Sequence, residues 1–261
     1  YYFLPYRKRV ICANMRRVFN GDLSDQQLKK LCCLFYQHFL SALFDVFKSV
    51  IYSKRKMGRC SYLKGIEHFE QAASENKGVL LLTGHFGSWE FGTIACISLI
   101  QNRLAYIIRK RIKNKFLEKI LYSAYEKGRI KIIPKDKKSL LRVYRLLRKK
   151  QNIIFVLDQH ASVKKGDGIM VEFFGEKCGT YQSLAALAKK TGAPVVPVCP
   201  YRDENGKYVL EFSPALSWQH GENEAREIYQ NTLIYNQCLE EMVLEHPEQW
   251  LWSHRRWKGN K

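Results

Sequence analysis

The sequence predicts an α/β fold: a mixed, mostly parallel sheet flanked by helices, with an N-terminal helical segment in front of it. Three observations carry this. Residues 7–56 repeat their apolar positions at helical spacing and contain no strand-like run. From Val79 onward, apolar runs of strand length alternate with longer amphipathic ones, the pattern of an α/β sheet. Residues able to do chemistry, namely His85, Arg109, Asp158 and Gln159, each follow directly on one of the strand-like runs, and ligands of open α/β sheets gather at the carboxyl ends of the strands. The expected organisation is therefore an N-terminal, membrane-proximal helical segment over residues 1–64 and an α/β domain over 65–261.

In chain order, Tyr1 to Tyr6 followed by Arg7-Lys8-Arg9 reads as the end of a membrane anchor, since aromatics favour the interface and cations the cytoplasmic side. A few aromatics packed on the fold would give the same six residues. With Tyr1 rather than Met in first place, a preceding segment is expected. Ser24-Asp25 offers an N-cap to a helix carrying Leu28, Leu31, Leu34, Phe35, Phe39, Leu43, Phe44 and Phe47. We read this stripe as core; lying on a membrane is the alternative, given Lys54-Arg55-Lys56 at its end.

Strands are expected at Val79–Leu82, Leu104–Ile108, Ile130–Ile133, Ile153–Leu157, Met170–Phe174, Val195–Cys199 and Tyr208–Phe212. Helices are expected at Trp89–Ile100, Lys113–Glu126, Lys137–Lys149, Tyr181–Lys190 and Glu222–Glu245. Residues 78–100 hold one formal charge, Glu90, and approach the length of a bilayer span. However, His85, Ser88 and Glu90 lie near the centre and Gly84, Gly87 and Gly92 interrupt it, so it divides into strand, turn and helix.

Composition bounds the function. Hydrophobic residues at 46% exclude a disordered chain. Lys and Arg outnumber Asp and Glu by 44 to 24, a formal charge of +20, which implies an acidic partner: nucleic acid, an anionic membrane face or an acidic protein. The eight Cys have no metal-ligand spacing and read as buried thiols of a reduced compartment; no metal or cofactor is expected. Lys164-Lys165-Gly166-Asp167-Gly168 lacks the spacing of a phosphate-binding loop and reads as a mobile loop. Gly179-Thr180 before the Tyr181 helix would set a helix N-terminus near the site.

The central stretch is Leu80-Leu81-Leu82-Thr83-Gly84-His85-Phe86-Gly87-Ser88-Trp89-Glu90. A His can take a proton near neutral pH, and a carboxylate can hold its tautomer and stabilise the imidazolium. On one helix, positions five apart lie about 140° apart and do not meet, so the pair requires His85 in a turn ahead of the helix that carries Glu90. No Ser lies in a nucleophile-elbow pattern, so the expected chemistry is direct activation of a substrate hydroxyl, with His85 as base and Glu90 as partner. Arg109, with Lys110-Arg111, either solvates a loop or grips a phosphate or oxyanion. Asp158 either caps a turn, orients a substrate hydroxyl or pairs with Arg109; His160 ranks below His85 as a base. The basic run from Lys135 to Lys150 is a solvated face or meets an acidic partner. Trp250-Leu251-Trp252-Ser253-His254-Arg255-Arg256-Trp257-Lys258 mixes aromatics with cations and suits an interface or a phosphorylated ligand.

From about Gly65 to Lys258 the sequence resembles the bacterial late acyltransferases of lipid A biosynthesis, the lauroyl and myristoyl transferase family, which are similar in turn to lysophospholipid acyltransferases. The resemblance rests on five blocks in order. They are Leu81 to Glu90, matching the family's His-x4-Asp/Glu; Arg109 with Asn114; Asp158-Gln159; Phe173-Phe174-Gly175 with Gly179-Thr180; and Glu248 to Trp257. Trp257 stands where the family usually has Phe, and the Lys164–Gly168 loop has no counterpart. The resemblance implies a fatty acyl donor on acyl-carrier protein or CoA and a phosphorylated glycolipid acceptor. It implies His85 and Glu90 as the catalytic pair, with Arg109, Asn114, Asp158, Gln159, Arg255 and Arg256 at the substrate or oxyanion. It also implies a place at the cytoplasmic face of the bacterial inner membrane, through an N-terminal anchor absent from this chain. Transfer from acyl-CoA to a phospholipid or glycosylated phosphatidylinositol is the alternative. A basic, membrane-attached nucleic-acid-binding protein would explain the charge but not Gly84-His85 and Glu90, and no nucleic acid is expected.

Overall fold

A computed structural model describes residues 6–100 and 103–258. Three helices come first, α1 (Lys8–Phe19), α2 (Asp25–Ile51) and α3 (Lys54–Arg59). Ser24 begins α2 with a capping box, its hydroxyl accepting from the Gln27 amide while the Gln27 side chain accepts from the Ser24 amide, worth about 1 kcal/mol. Tyr1 to Pro5, read above as the end of an anchor, lie outside the described residues. No helix among the described residues is long and apolar enough to cross a membrane.

The sheet has seven strands, introduced in chain order: β1 (Ser61–Lys64), β2 (Leu80–Thr83), β3 (Ala105–Arg109), β4 (Ile130–Pro134), β5 (Asn152–Val156), β8 (Val195–Arg202) and β9 (Tyr208–Phe212). A separate hairpin is made by β6 (Gly168–Phe173) and β7 (Glu176–Tyr181). The order across the sheet is β1-β9-β8-β2-β5-β3-β4. Every pairing is parallel except β8 with β9. The expected mixed, mostly parallel sheet is therefore present. The helices between strands are α4 (Ile66–Ser74), α5 (Phe91–Ile97), α6 (Lys115–Lys127), α7 (Ser139–Arg148) and α8 (Ser183–Thr191), and α9 (Glu224–Glu245) follows the last strand.

Strand alternation separates two cores. Leu80, Leu82, Ile153, Phe155 and Val195 face one side, with Ile11, Phe35, Val143, Leu184 and Leu239 from helices. Leu81, Ile154, Val196 and Val198 face the other, with Phe69, Ile94 and Leu121. Covered on both faces, the central strands read as unbroken apolar runs, as parallel strands do.

Four local expectations differ from the structure. β1, unforeseen, pairs with β9, so the residues just before 65 belong to the sheet. Gly179-Thr180 lie inside β7 rather than before a helix, so no helix N-terminus is placed there. The Lys164–Gly168 segment, expected to be loop throughout, begins in a short 3-10 turn at Val163–Lys165 and ends in β6 at Gly168. The apolar stripe of α2 is core only in its first half: Leu31 and Phe35 are buried, while Leu43, Phe44 and Phe47 are exposed.

Candidate active site

Neighbouring strands β2 and β5 end together. Thr83 is in register with Val156, and Leu157 donates its amide to the Thr83 carbonyl. The next residues along the two chains are therefore brought side by side, and these include His85 and Asp158. Gly84 makes the approach possible: a Cβ there would come within 2.7 Å of the Phe86 ring and 3.3 Å of the Asp158 side chain. Gly87, at φ +48°, turns the chain toward α5, with Tyr201 and Gln249 pressed against it.

His85 Nδ1 lies 2.9 Å from Asp158 Oδ1, and Asp158 Oδ2 accepts from the His85 amide at 2.8 Å and from Trp250 Nε1 at 3.1 Å. Burial alone would raise the Asp158 pKa, but the charge and hydrogen bonds of His85 hold it at about 2. An ionised carboxylate only accepts, so Nδ1 carries the hydrogen and Nε2 keeps its lone pair. Burial pulls the imidazole down, yet Asp158 and, at longer range, Glu90 outweigh it, and the net shift is upward from 6.5. The His85 side chain remains 20% exposed while that of Asp158 is 3%. The result is a basic imidazole on a partly exposed side chain, backed by a buried anion. The Gln159 amide nitrogen lies 3.4 Å from Nε2.

Glu90 does not take the place expected of it. Both its oxygens accept from Arg109 Nη1, at 2.6 and 2.8 Å, and it also accepts from the Tyr125 hydroxyl. Tyr125 in turn accepts from Arg109 Nη1 at 2.8 Å. The carboxylate that orients His85 is Asp158, and Glu90 acts on the imidazole only through space. The reason is geometric: Glu90 leads into α5 on the side of β3, whose last residue is Arg109, whereas β5 delivers Asp158 beside the turn. Burial lowers the Arg109 pKa, but Glu90 and Tyr125 more than restore it and the net shift is upward. Tyr125 is pushed well above its usual value by burial and the Glu90 charge, so it is a neutral donor.

The remaining expected site residues separate. Asn114 is the N-cap of α6, accepting from the amides of Phe116 and Leu117. Arg255 is exposed. Arg256 is fully buried, its guanidinium bonded within the fold. It donates to the carbonyls of Gln159 (3.2 Å) and Gly179 (2.7 Å), to the Thr180 hydroxyl (2.8 Å) and to Asn236 Oδ1 (3.1 Å). Sequence reasoning missed Tyr125 and Trp250 as partners of the two carboxylates. It also missed Asp45 of α2, a buried carboxylate that accepts from Ser88 in the turn after His85 and lies 2.5 Å from Lys48.

A His held by a buried Asp just past the ends of two parallel strands can take a proton from a hydroxyl, and sequence comparison gives the family in which it occurs. The chain matches the bacterial lipid A biosynthesis acyltransferase family over residues 2–259 and belongs to that family. It is similar to a lipid A biosynthesis acyltransferase of Haemophilus influenzae, 24% identical over 88% of this chain and 69% of that one. It is also similar to two Escherichia coli proteins, each aligned over 98% of this chain and 80% of its own length. They are the lipid A biosynthesis lauroyltransferase (22% identical) and the palmitoleoyltransferase (23%). The chain is accordingly an acyltransferase.

Proposed function

We propose that this acyltransferase moves a fatty acyl chain from a thioester, on acyl-carrier protein or CoA, to a hydroxyl of a lipid A precursor at the cytoplasmic face of the bacterial inner membrane. The observation that supports this most is the imidazole of His85, tethered through Nδ1 to a buried carboxylate with Nε2 left basic. Nε2 takes the proton of the acceptor hydroxyl as its oxygen attacks the thioester carbonyl. The C–O bond forms, the C–S bond breaks, and the imidazolium returns the proton to the leaving thiolate. Asp158 stabilises the imidazolium. Glu90 holds Arg109, and among the described residues Arg109 Nη2 and Nε have no partner, which leaves them for a developing oxyanion or a head-group phosphate.

The experiment offers the protein an acyl-carrier-protein thioester and a CoA thioester, each with a lipid A precursor and with a lysophospholipid, and reads the products by mass spectrometry. The expected product is an ester on the precursor. Acylation of the lysophospholipid alone would replace this reading with the phospholipid one.

The pH profile is a second check. Because the His85 pKa is raised, the base is protonated below it, so kcat/KM should fall as pH drops through a value above 6.5. Asp158→Asn removes the charge that raises it and should move this limb to lower pH. The same change should also depress the plateau, because an Asn amide can hold the wrong tautomer. A limb that stays in place removes Asp158 from the account.

A further inference from the structure

The exposed half of α2 presents a second surface to solvent. Its inner face, Ala42, Asp45 and Ser49, is buried. Its outer face, Leu43, Phe44, Phe47, Val50 and Ile51, repeats at the spacing of a helical stripe and is 46% to 76% exposed. α6 continues the same surface, with Phe116 71% and Leu117 52% exposed. The two helices are fastened together. Lys127 of α6 donates to the carbonyls of Ser49, Val50 and Tyr52 at the end of α2, at 3.0, 3.1 and 3.0 Å. Val50, Phe116 and Ile120 line one groove of about 340 Å³ between them.

Cations surround this apolar surface. Lys54, Arg55 and Lys56 follow α2, and Lys110, Arg111, Lys113, Lys115 and Lys119 surround the start of α6, all exposed. No Asp or Glu occurs from Val46 to Ile66. Contiguous apolar patches of this kind are rare on a free surface and mark a partner. A rim in which Lys and Arg far outnumber acids, Glu118 of α6 included, fits a continuous anionic sheet, in which apolar side chains enter the acyl boundary while Lys and Arg meet the head groups.

We propose that the outer faces of α2 and α6 dock the protein on a bilayer containing anionic phospholipid. The purpose of docking rests on the lipid acceptor proposed above; the binding itself does not. The arrangement also relates membrane to site. The buried face of α2 accepts from Ser88 through Asp45, and Tyr125 of α6 donates to Glu90. One helix thickness, about 10 Å, therefore separates the docking plane from the catalytic turn.

The test is co-sedimentation with vesicles of phosphatidylcholine alone and of phosphatidylcholine mixed with phosphatidylglycerol. The parent protein should bind the mixed vesicles and prefer them to the neutral ones. The combined variant Phe44→Ser, Phe47→Ser, Ile51→Ser should bind about tenfold or more weakly, with unchanged circular dichroism and unchanged transfer to a detergent-dispersed acceptor. A second variant, Lys54→Glu, Arg55→Glu, Lys56→Glu, should lose the preference for anionic vesicles. Parental vesicle binding by the triple-Ser variant overturns the proposal. So does a triple-Ser variant that keeps the membrane but loses acyl-carrier protein, since the face is then a protein dock. A parent that binds vesicles yet transfers no acyl group overturns the function above and leaves the docking face standing.

Discussion

His85→Ala should leave the protein folded and slow acyl transfer by about 10²–10⁴-fold, the range that a positioned general base supplies. Folding is expected to survive because the imidazole belongs to neither core, with a fifth of its side chain exposed. Asp158 does not become an orphan when the ring is removed, since it still accepts from the residue 85 amide and from Trp250 Nε1. The expected cost is therefore confined to the proposed reaction, in which Nε2 is the basic atom of a ring held by an ionised partner. Thermal melting followed by circular dichroism and initial transfer rates measure the two halves separately. Parental turnover in a folded His85→Ala protein would dismiss the imidazole as the base.

Arg256→Leu should be costly in the opposite sense, lowering stability by about 3 kcal/mol and the Tm by about 6–12 °C. The guanidinium joins three parts of the fold: the Gln159 carbonyl beyond β5, Gly179 and Thr180 of β7, and Asn236 of α9. It also lies over the Phe173 ring, 4.9 Å from its centroid. No carboxylate forms an ion pair with it among the described residues, and burial pulls its pKa below the usual value. Removing the charge thus relieves some desolvation. The acceptors left behind outweigh this, because each buried polar atom without a donor costs about 1–3 kcal/mol. Lys at this position should recover only part of the loss, since an ammonium cannot span the same fork. Calorimetry decides it; a Leu variant melting with the parent would show that these bonds contribute nothing net.

These two arginine and histidine positions also show what the sequence made legible. The apolar runs of β2 and β5 and the residues just past them were readable because a strand buried on both faces has few alternatives to an unbroken hydrophobic run. Finding His85 and Asp158 followed from that. Their pairing did not, because it depends on β5 inserting between β2 and β3, an order that no local pattern encodes. Glu90, nearer in sequence, was the natural partner until the turn at Gly87 directed it toward Arg109. Tyr125 lies in an ordinary amphipathic helix and Trp250 among other aromatics, so neither carried a local signal of its hydrogen bond. β1 was too short to register, and β7, with Lys177 and Gly179 at its middle, lacks alternation. The stripe on α2 misled because one period served two environments, core at Phe35 and solvent at Phe47.

The segment after α9 returns to the turn bearing His85: Leu251 donates its amide to the His85 carbonyl, Gly87 donates to the Gln249 carbonyl, and Trp250 reaches Asp158. During synthesis the turn bearing His85 leaves the ribosome long before that segment does, and domains generally fold as units. The nascent protein thus carries an unlatched turn until the far sequence arrives. The turn bearing His85 is therefore complete only once this last segment is in place.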